Sequence, residues 1–235
     1  MKKKIELRNI TLLATTSVDV DETQISMRIS AHNINFGSLK LLSSKPPSKK
    51  YPDIEYISIP HMDFNGYSKF IIEDLYKYFN TSHCLIVQAD SFVVNSDLWK
   101  DVFLDFDYIG APWSDKIEVD VGSKKLVLEL KETPVGNGGF SLRSRKLVKE
   151  CSKINYNSLN YPIKSEDIII CHYLYKEMLD NGIRFAPPNL AAQFSMENVN
   201  HLYGQNVNNV FGFHGKHLRD YFIKKYIINS AVGEW

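Results

Sequence analysis

The chain has 235 residues, of which 44% are hydrophobic and 23% are charged, as is ordinary for a soluble globular protein and unlike a disordered or repetitive one. At about 150 residues per domain, this length predicts one large domain or a domain with an appendage. Because the sequence shows no linker and no repeat, a single domain over residues 1–235 is the better prediction. The 28 lysine and arginine residues nearly balance the 27 aspartate and glutamate residues, giving a formal net charge of +1. Nucleic-acid-binding proteins usually carry a clear basic excess, so we expect no nucleic-acid partner.

The cysteines and the hydropathy bear on the cellular compartment of the protein. Cys84, Cys151 and Cys171 form no C-x-x-C pair, and two of them lie in apolar runs, where a free cysteine acts as a small hydrophobic residue. The basic start at residues 1–4 is interrupted by charged residues before a signal-peptide core appears, and no segment reaches the 18 apolar residues of a membrane span. We therefore expect a cytoplasmic protein with no transmembrane segment.

The first half of the chain alternates strand-like and helix-like patterns. Apolar, β-rich runs predict strands at residues 9–14, 39–42, 54–59 and 84–87. The last of these runs is uninterrupted, as is typical of a strand covered on both faces. A polar stretch over 21–34 tolerates a helix, and the apolar spacing between 65 and 79 predicts an amphipathic helix. This order predicts an α/β fold with a mostly parallel central sheet flanked by helices.

The second half is less regular. Helices are predicted at residues 96–103, 145–152, 166–181 and 218–227, and a strand at 107–113. The pair Asn181-Gly182 is a typical helix end. Residues 117–130 alternate loosely around Gly122-Ser123, which predicts a small antiparallel hairpin insertion.

The acid after the central strand is the first candidate for chemistry. The strand ends in Gln88-Ala89-Asp90, and ligands of open parallel sheets bind beyond the carboxyl ends of the strands. Asp90 is therefore placed to hold a divalent cation. The alternative is that it caps the next turn.

The segment Gly136-Asn137-Gly138-Gly139 is the second candidate. Three glycines in four positions allow positive φ and a close approach of the backbone to a ligand, whereas a tight turn alone needs fewer. The spacing matches neither the G-x-G-x-x-G dinucleotide pattern nor a P-loop, which disfavours both classes.

Two further candidates are an acidic pair and a histidine. Glu166 and Asp167 begin a predicted helix, where the helix dipole alone favours acids, but where an ionised carboxylate can also act as a general base toward a hydroxyl. His214, between aromatic residues and glycines, is a candidate metal ligand that would complete a site with Asp90; a packed or surface histidine is the alternative. Asp and His with water and phosphate oxygens suit Mn²⁺ or Mg²⁺.

Five segments in this order carry a resemblance to a known family. They are residues 85–93, 107–113, 136–143, 165–167 and 213–215. From the first strand to about His214, the chain resembles a bacterial and phage family of domains of unknown function, which is similar to the GT-A class of nucleotide-sugar glycosyltransferases. The resemblance implies a GT-A-like, Rossmann-like fold.

The resemblance also implies roles for matching residues. Asp90 matches the last acid of an Asp-x-Asp metal motif, with Gln88 where the first acid often stands, and His214 matches a late histidine that completes the metal shell. Asp167 is the preferred base of the acidic pair, with Glu166 as an acceptor ligand or substitute. Contacts to the nucleotide-sugar donor are implied for Ala14, Thr15, Thr16, Lys69, Gln88, Ala89, Asp90, Gly138 and Gly139. For Lys69, a solvent-facing position on the amphipathic helix is an equal alternative.

The implied activity is that of a metal-dependent, inverting, hexosyltransferase-type glycosyltransferase. It would use Mn²⁺ or Mg²⁺ to move a sugar from a nucleotide sugar, a UDP-sugar by preference, to a hydroxyl of a carbohydrate acceptor. Trp113 is a predicted acceptor platform, whereas Phe140 and Phe194 either stack on sugars or pack in the core. The alternative, supported by Gln88 in place of an acid, is a catalytically silent nucleotide- or carbohydrate-binding protein on the same fold. A nucleotidyltransferase is disfavoured because residues 15–17 supply no basic, glycine-rich loop.

Overall fold

The computed structural model describes residues 4–121, 124–133, 135–198 and 203–231. The predicted turn at Gly122-Ser123 lies outside these residues. The strands are β1 (Ile5–Thr16), β2 (Ile34–Ser43), β3 (Glu55–Ser58), β4 (His83–Val87), β5 (Ser91–Val93), β6 (Tyr108–Ile109), β7 (Lys116–Val121), β8 (Lys124–Glu129), β9 (Phe140–Ser144), β10 (Ser195–Met196) and β11 (Gly212–His214). The α-helices are α1 (Val20–Ser30), α2 (Phe64–Glu73), α3 (Arg145–Cys151), α4 (Glu166–Ile168), α5 (Tyr175–Asp180), α6 (Pro188–Phe194) and α7 (Lys216–Ala231).

The central sheet has six strands in the order β3-β2-β1-β4-β9-β6. β1 is parallel to both β2 and β4, and β2 is parallel to β3. β9 runs antiparallel between β4 and β6. The predicted α/β architecture with a mostly parallel central sheet and flanking helices is therefore confirmed.

Both faces of the central strand β4 are covered, as its apolar sequence predicts. Leu85 and Val87 pack with α1 residues such as Met27 on one face. The alternate residues Cys84 and Ile86 pack with α2 and α3 on the other. The carboxyl ends of β1 and β4 are thus held side by side at one edge of the sheet.

Two small sheets complete the fold. β7 and β8 form the predicted antiparallel hairpin. β5, β11 and β10 form a three-stranded sheet that the sequence patterns did not predict, in which Phe213 lies across from Phe92 and His214 across from Ser91. Edge-to-face packing of these two aromatic rings, 4.7 Å between centroids, supports the pairing.

Several predicted helices differ from the observed ones. The helix expected over 166–181 is interrupted by a π-helical turn at Ile169–Tyr173, in which the Leu174 amide donates to the Ile169 carbonyl. Its end is as predicted, with Gly182 at a φ of +75°. Two 3₁₀ turns, Ser96–Leu98 and Asp101–Asp105, replace the helix expected over 96–103, α6 was not predicted, and the terminal helix is longer than 218–227. Across the described parts of the chain, no helix combines the length and apolarity needed to cross a bilayer.

Candidate functional site

A pocket of about 450 Å³ opens at the carboxyl ends of β1 and β4. Its walls come from the segment after β1, the loop that leads into α2, the segment after β4 and the first residue of α7. The lining residues are Thr15, Thr16, Ser17, Val18, Asp19, Thr23, His61, Met62, Asp63, Phe64, Tyr67, Gln88, Ala89, Asp90 and Lys216. This is the edge at which open parallel sheets bind ligands.

Asp90 and His214 meet at this edge. The antiparallel pairing of β5 with β11 aligns His214 with Ser91, and the Gly215 amide donates to the Asp90 carbonyl at 3.0 Å. His214 Nε2 consequently lies 3.5 Å from Asp90 Oδ1, and both side chains are about 20% exposed. The structure thus brings together the two residues that the sequence predicted as metal ligands.

The other ring nitrogen of His214 contacts Glu197, which directly follows β10. His214 Nδ1 is 3.4 Å from Glu197 Oε1 and 3.2 Å from Asn137 Nδ2. Burial opposes the protonation of His214, but its hydrogen bond to Glu197 and the charge of Asp90 prevail and raise its pKa. Carboxylates therefore face His214 from both sides. The described residues contain no group of three or more histidines, cysteines and acids arranged to hold a metal ion.

The glycine-rich turn differs from the expectation of glycines at positive φ. Asn137 adopts the positive φ, +61°, which asparagine tolerates better than most residues. The three glycines are instead explained by close approach. A Cβ on Gly136 would lie 1.9 Å from Trp113, one on Gly138 2.0 Å from Glu166 Oε1, and one on Gly139 2.3 Å from His214 Nε2.

Beneath this turn lies an ion pair that the sequence analysis missed. Arg143, in β9, donates through Nη2 to both carboxylate oxygens of Glu166 at 2.9 Å, and the two side chains are 1% and 5% exposed. Arg143 Nε donates to Ser141 Oγ, which donates to the Gly138 carbonyl, both at 3.0 Å. Burial raises the pKa of Glu166 to about 7, and the guanidinium of Arg143 opposes the rise.

Asp167 has a different environment from its neighbour Glu166. Its Oδ2 accepts from the Gly138 amide at 3.0 Å, and its Oδ1 accepts from the Ile168 amide at 2.8 Å and from the Ser165 hydroxyl. The side chain is partly exposed. Because Gly138 precedes Gly139, whose Cα lies against His214, the turn links Asp167 to the Asp90–His214 pair.

The predicted site residues divide into those that the structure assembles and those that it does not. Thr15, Thr16, Gln88, Ala89 and Asp90 line the pocket, while Gly138, Gly139, Glu166, Asp167 and His214 lie around the glycine-rich turn.

Several predicted contact residues lie elsewhere. Ala14 is fully buried in β1 and does not line the pocket. Lys69 is also absent from the lining, and its Nζ lies 3.7 Å from Glu73 Oε2 on the same helix. Trp113 is not an open platform, because it is 7% exposed and its ring covers Gly136. Phe140 and Phe194 are fully buried and pack on each other, so both are core residues.

The pocket also contains residues that sequence reasoning did not select. Val18, Phe64, Tyr67 and Lys216 line it without belonging to a recognisable motif. Tyr67 accepts a hydrogen bond from Gln88 Nε2 at 3.0 Å, and burial raises its pKa. For Arg143, a signal was available: a charged residue inside an otherwise uncharged strand needs a buried partner.

Comparison with known proteins places the chain in a family. Residues 53–214 match the family described as protein of unknown function (DUF5672), and the chain belongs to this family. One similar solved structure is a glycosyltransferase involved in the glycosylation of the major capsid of PBCV-1, with 14% identity, a TM-score of 0.44 and coverage of 92% of this chain and 98% of that one. Another is the bifunctional IspDF from Campylobacter jejuni, with 11% identity, a TM-score of 0.46 and coverage of 78% and 49%. No curated protein matches the sequence.

Proposed function

We propose that this protein is a glycosyltransferase that moves a sugar from a nucleotide-sugar donor to a hydroxyl of a carbohydrate acceptor. The observation that carries the proposal is the Asp90–His214 pair, 3.5 Å apart, at the edge of a pocket beyond the carboxyl ends of parallel strands. A volume of about 450 Å³ lies in the range of small-molecule sites.

The two side chains fit a divalent cation. Adjacent ligands of one ion, each about 2.1 Å from it, lie about 3 Å apart, close to the observed separation of Asp90 Oδ1 and His214 Nε2. Glu197 faces the other ring nitrogen, an arrangement that orients metal-binding histidines. Mn²⁺ or Mg²⁺ suits this donor set, with water and diphosphate oxygens as further ligands. A bound cation would neutralise the negative charge that develops on the leaving diphosphate.

Lys216 is placed to bind the diphosphate at the end of the pocket that holds Asp90. It is exposed, lines the pocket and follows Gly215, whose amide is bonded to Asp90. Its ammonium group can therefore bind phosphate oxygens beside the Asp90–His214 pair.

Asp167 is the better candidate for the base of the acidic pair. Both carboxylates accept hydrogen bonds at each oxygen, but Glu166 is buried in an ion pair with Arg143, whereas Asp167 is partly exposed and held in position by the Gly138 amide. Asp167 would accept the proton of the acceptor hydroxyl while the hydroxyl oxygen attacks the anomeric carbon of the donor sugar, on the face opposite the leaving diphosphate. One such displacement inverts the anomeric configuration.

Nucleotide binding with and without metal tests this proposal. Thermal unfolding is measured with UDP, GDP and CMP, each with and without Mn²⁺. At about 100 times its Kd, a ligand adds about 2.7 kcal/mol of stability, which raises the Tm of a protein of this size by roughly 5–10 °C. We expect Asp90→Ala to lose the metal-dependent part of this shift, and Asp167→Asn to keep the shift but lose sugar transfer.

Asp180→Ala, at the exposed end of α5, is the matched control and should behave like the parent. Metal-dependent binding and transfer that survive in both site variants would contradict the assignment. A product with retained configuration would remove the base role of Asp167.

A nucleotide-binding protein without transfer is the second candidate. It is favoured by Gln88, which lies two residues before Asp90, adds no charge and donates its amide to Tyr67. Binding of a nucleotide sugar without consumption, in the presence of Mn²⁺ and of varied sugar acceptors, would favour this candidate.

A further inference from the structure

The mouth of the pocket carries two unusually exposed apolar side chains. Val18 is 73% exposed and Phe64 is 67% exposed, the highest values among the large hydrophobic residues that the structure describes. Single exposed apolar residues are common on protein surfaces and need no explanation. Here, however, the two most exposed ones line the same pocket.

Hydrogen bonds hold the two segments that present these side chains together. The Met62 amide donates to Ser17 Oγ at 2.9 Å, which joins the loop before α2 to the segment after β1. The Val18 amide donates to Thr16 Oγ1 at 3.2 Å, and Asp63 caps α2 by accepting from the Gly66 amide at 2.7 Å. Val18 and Phe64 are therefore fixed on adjoining rims of the mouth.

A hydroxyl group without a partner lies in the wall of the pocket. Thr15 is 5% exposed, and its Oγ1 is buried with no hydrogen-bond partner among the described residues. Leaving a buried polar atom unpaired costs about 1–3 kcal/mol. Seven other buried side-chain atoms of the described residues also lack a partner, but Thr15 is the one of these residues that lines the pocket. A ligand that supplies a donor or an acceptor would satisfy it.

The two ends of the pocket differ: Val18 and Phe64 lie at one end, and Asp90 lies at the other. Tyr67 lies one turn after Phe64 on the same face of α2 and contacts Gln88, which leads to Asp90. The pocket thus runs from Phe64 past Tyr67 toward Asp90, with Lys216 beside Asp90. Asp19 and Asp63 adjoin Val18 and Phe64 in the chain, are exposed and also line the pocket, so their charges would repel phosphate from this end.

We propose that the end of the pocket formed by Val18 and Phe64 binds the base of the nucleotide. Phe64 stacks on the face of the base, and Thr15 Oγ1 hydrogen-bonds to the base or the ribose. A planar base suits this end because it offers an apolar face without negative charge, and aromatic stacking tolerates any base. The inference rests on the proposed function and adds to it the residue that recognises the base.

Calorimetric titration of Phe64→Ala with UDP, GDP and inorganic pyrophosphate, all with Mn²⁺, tests the inference. Pyrophosphate shares the charged end but lacks the base. Loss of one stacking contact should weaken nucleoside diphosphate binding about 5-fold to 140-fold, with pyrophosphate binding unchanged. Phe64→Tyr should restore the affinity, and Leu179→Ala, which removes an apolar side chain that is 44% exposed elsewhere, should have no effect.

The outcomes separate this inference from the proposed function. Unchanged UDP and GDP affinity in Phe64→Ala, or an equal loss for pyrophosphate, overturns the stacking role. A parent protein that binds pyrophosphate as tightly as the nucleotides also overturns it, while leaving a metal–diphosphate site intact. If the parent binds none of the nucleotides, the proposed function fails and the inference falls with it.

Discussion

The two halves of the site differ in how their polar groups are satisfied. Beneath the glycine-rich turn, Arg143, Glu166, Ser141 and the Gly138 backbone form a buried circuit of hydrogen bonds. In the pocket, Thr15 Oγ1 has no partner among the described residues, and Lys216 is exposed. The Arg143–Glu166 pair is satisfied within the protein, although Asn137 Oδ1 in the same turn lacks a partner among the described residues. In the pocket, Thr15 Oγ1 and the exposed Lys216 adjoin open space that a ligand can fill, which is why we place recognition there.

The buried circuit has a structural role that bears on the chemistry. Burying two charges costs desolvation free energy, which the attraction between them offsets only when they are close and form further hydrogen bonds. Here those bonds also fix the Gly138 carbonyl, while the Gly138 amide donates to Asp167. The circuit therefore positions the candidate base without contacting the pocket.

Removing one member of the ion pair should have the largest effect on stability. Arg143→Met leaves Glu166 buried and unpaired, and we expect a loss of about 3–5 kcal/mol in the free energy of unfolding, measured with urea. The double variant Arg143→Met/Glu166→Met should recover most of this loss because no uncompensated charge remains. A single variant as stable as the parent would show that Glu166 is not held by Arg143.

A methyl group on the glycine-rich turn should have an intermediate effect. In Gly138→Ala the new Cβ lies 2.0 Å from Glu166 Oε1, so either the turn or the ion pair must move. We expect a loss of about 1–3 kcal/mol, as for other overpacked sites. Gly66→Ala in α2 is the control, because its Cβ would lie 3.1 Å from Asp63 Oδ1, a tight contact that a small shift of this exposed side chain relieves, and alanine gains up to about 1 kcal/mol of helix propensity. Equal losses in the two variants would refute the close-packing explanation.

The sequence predicted the elements around the pocket better than it predicted the interactions around the glycine-rich turn. The parallel strands and the acid after β4 follow from local apolar runs and from the general geometry of such sheets. The approach of His214 to Asp90 depends on β11, a three-residue strand paired with a distant segment, and so short a strand has no detectable period. The glycines and aromatic residues around His214 marked it as a candidate ligand and the resemblance supported it, but no local pattern indicated the strand pairing that brings it to Asp90.

The interactions around the glycine-rich turn could not be predicted, because they join residues that are far apart in the sequence. Arg143 and Glu166 are separated by 23 positions, and only the tertiary fold shows that they pair. The apolar stripe over 166–181 correctly indicates a helix but cannot reveal the π turn at Ile169–Tyr173. Phe64 was missed for the opposite reason, since an apolar residue at a helix start predicts burial rather than 67% exposure.

The smallest expected change in stability comes from two threonines of β1, one with a hydrogen-bonded hydroxyl and one with an unpaired hydroxyl. Thr11 and Thr15 lie on the same face of β1, and both are at most 5% exposed. Thr11 Oγ1 bonds to Ser38 Oγ at 3.0 Å and to Thr81 Oγ1 at 2.8 Å, whereas Thr15 Oγ1 has no partner among the described residues. Replacement by valine keeps the shape and removes only the hydroxyl.

Thr11→Val should therefore lose about 1–2 kcal/mol in urea unfolding, because it removes two side-chain hydrogen bonds, although Thr81 keeps its bond to the His83 carbonyl. Thr15→Val should change stability by less than about 0.5 kcal/mol or increase it, since its hydroxyl gains nothing in the free protein. The order should reverse for UDP affinity, with only Thr15→Val weakened. Equal stability losses in the two variants would mean that the Thr15 hydroxyl has a partner within the fold, and the pocket would lose its evidence for a missing ligand.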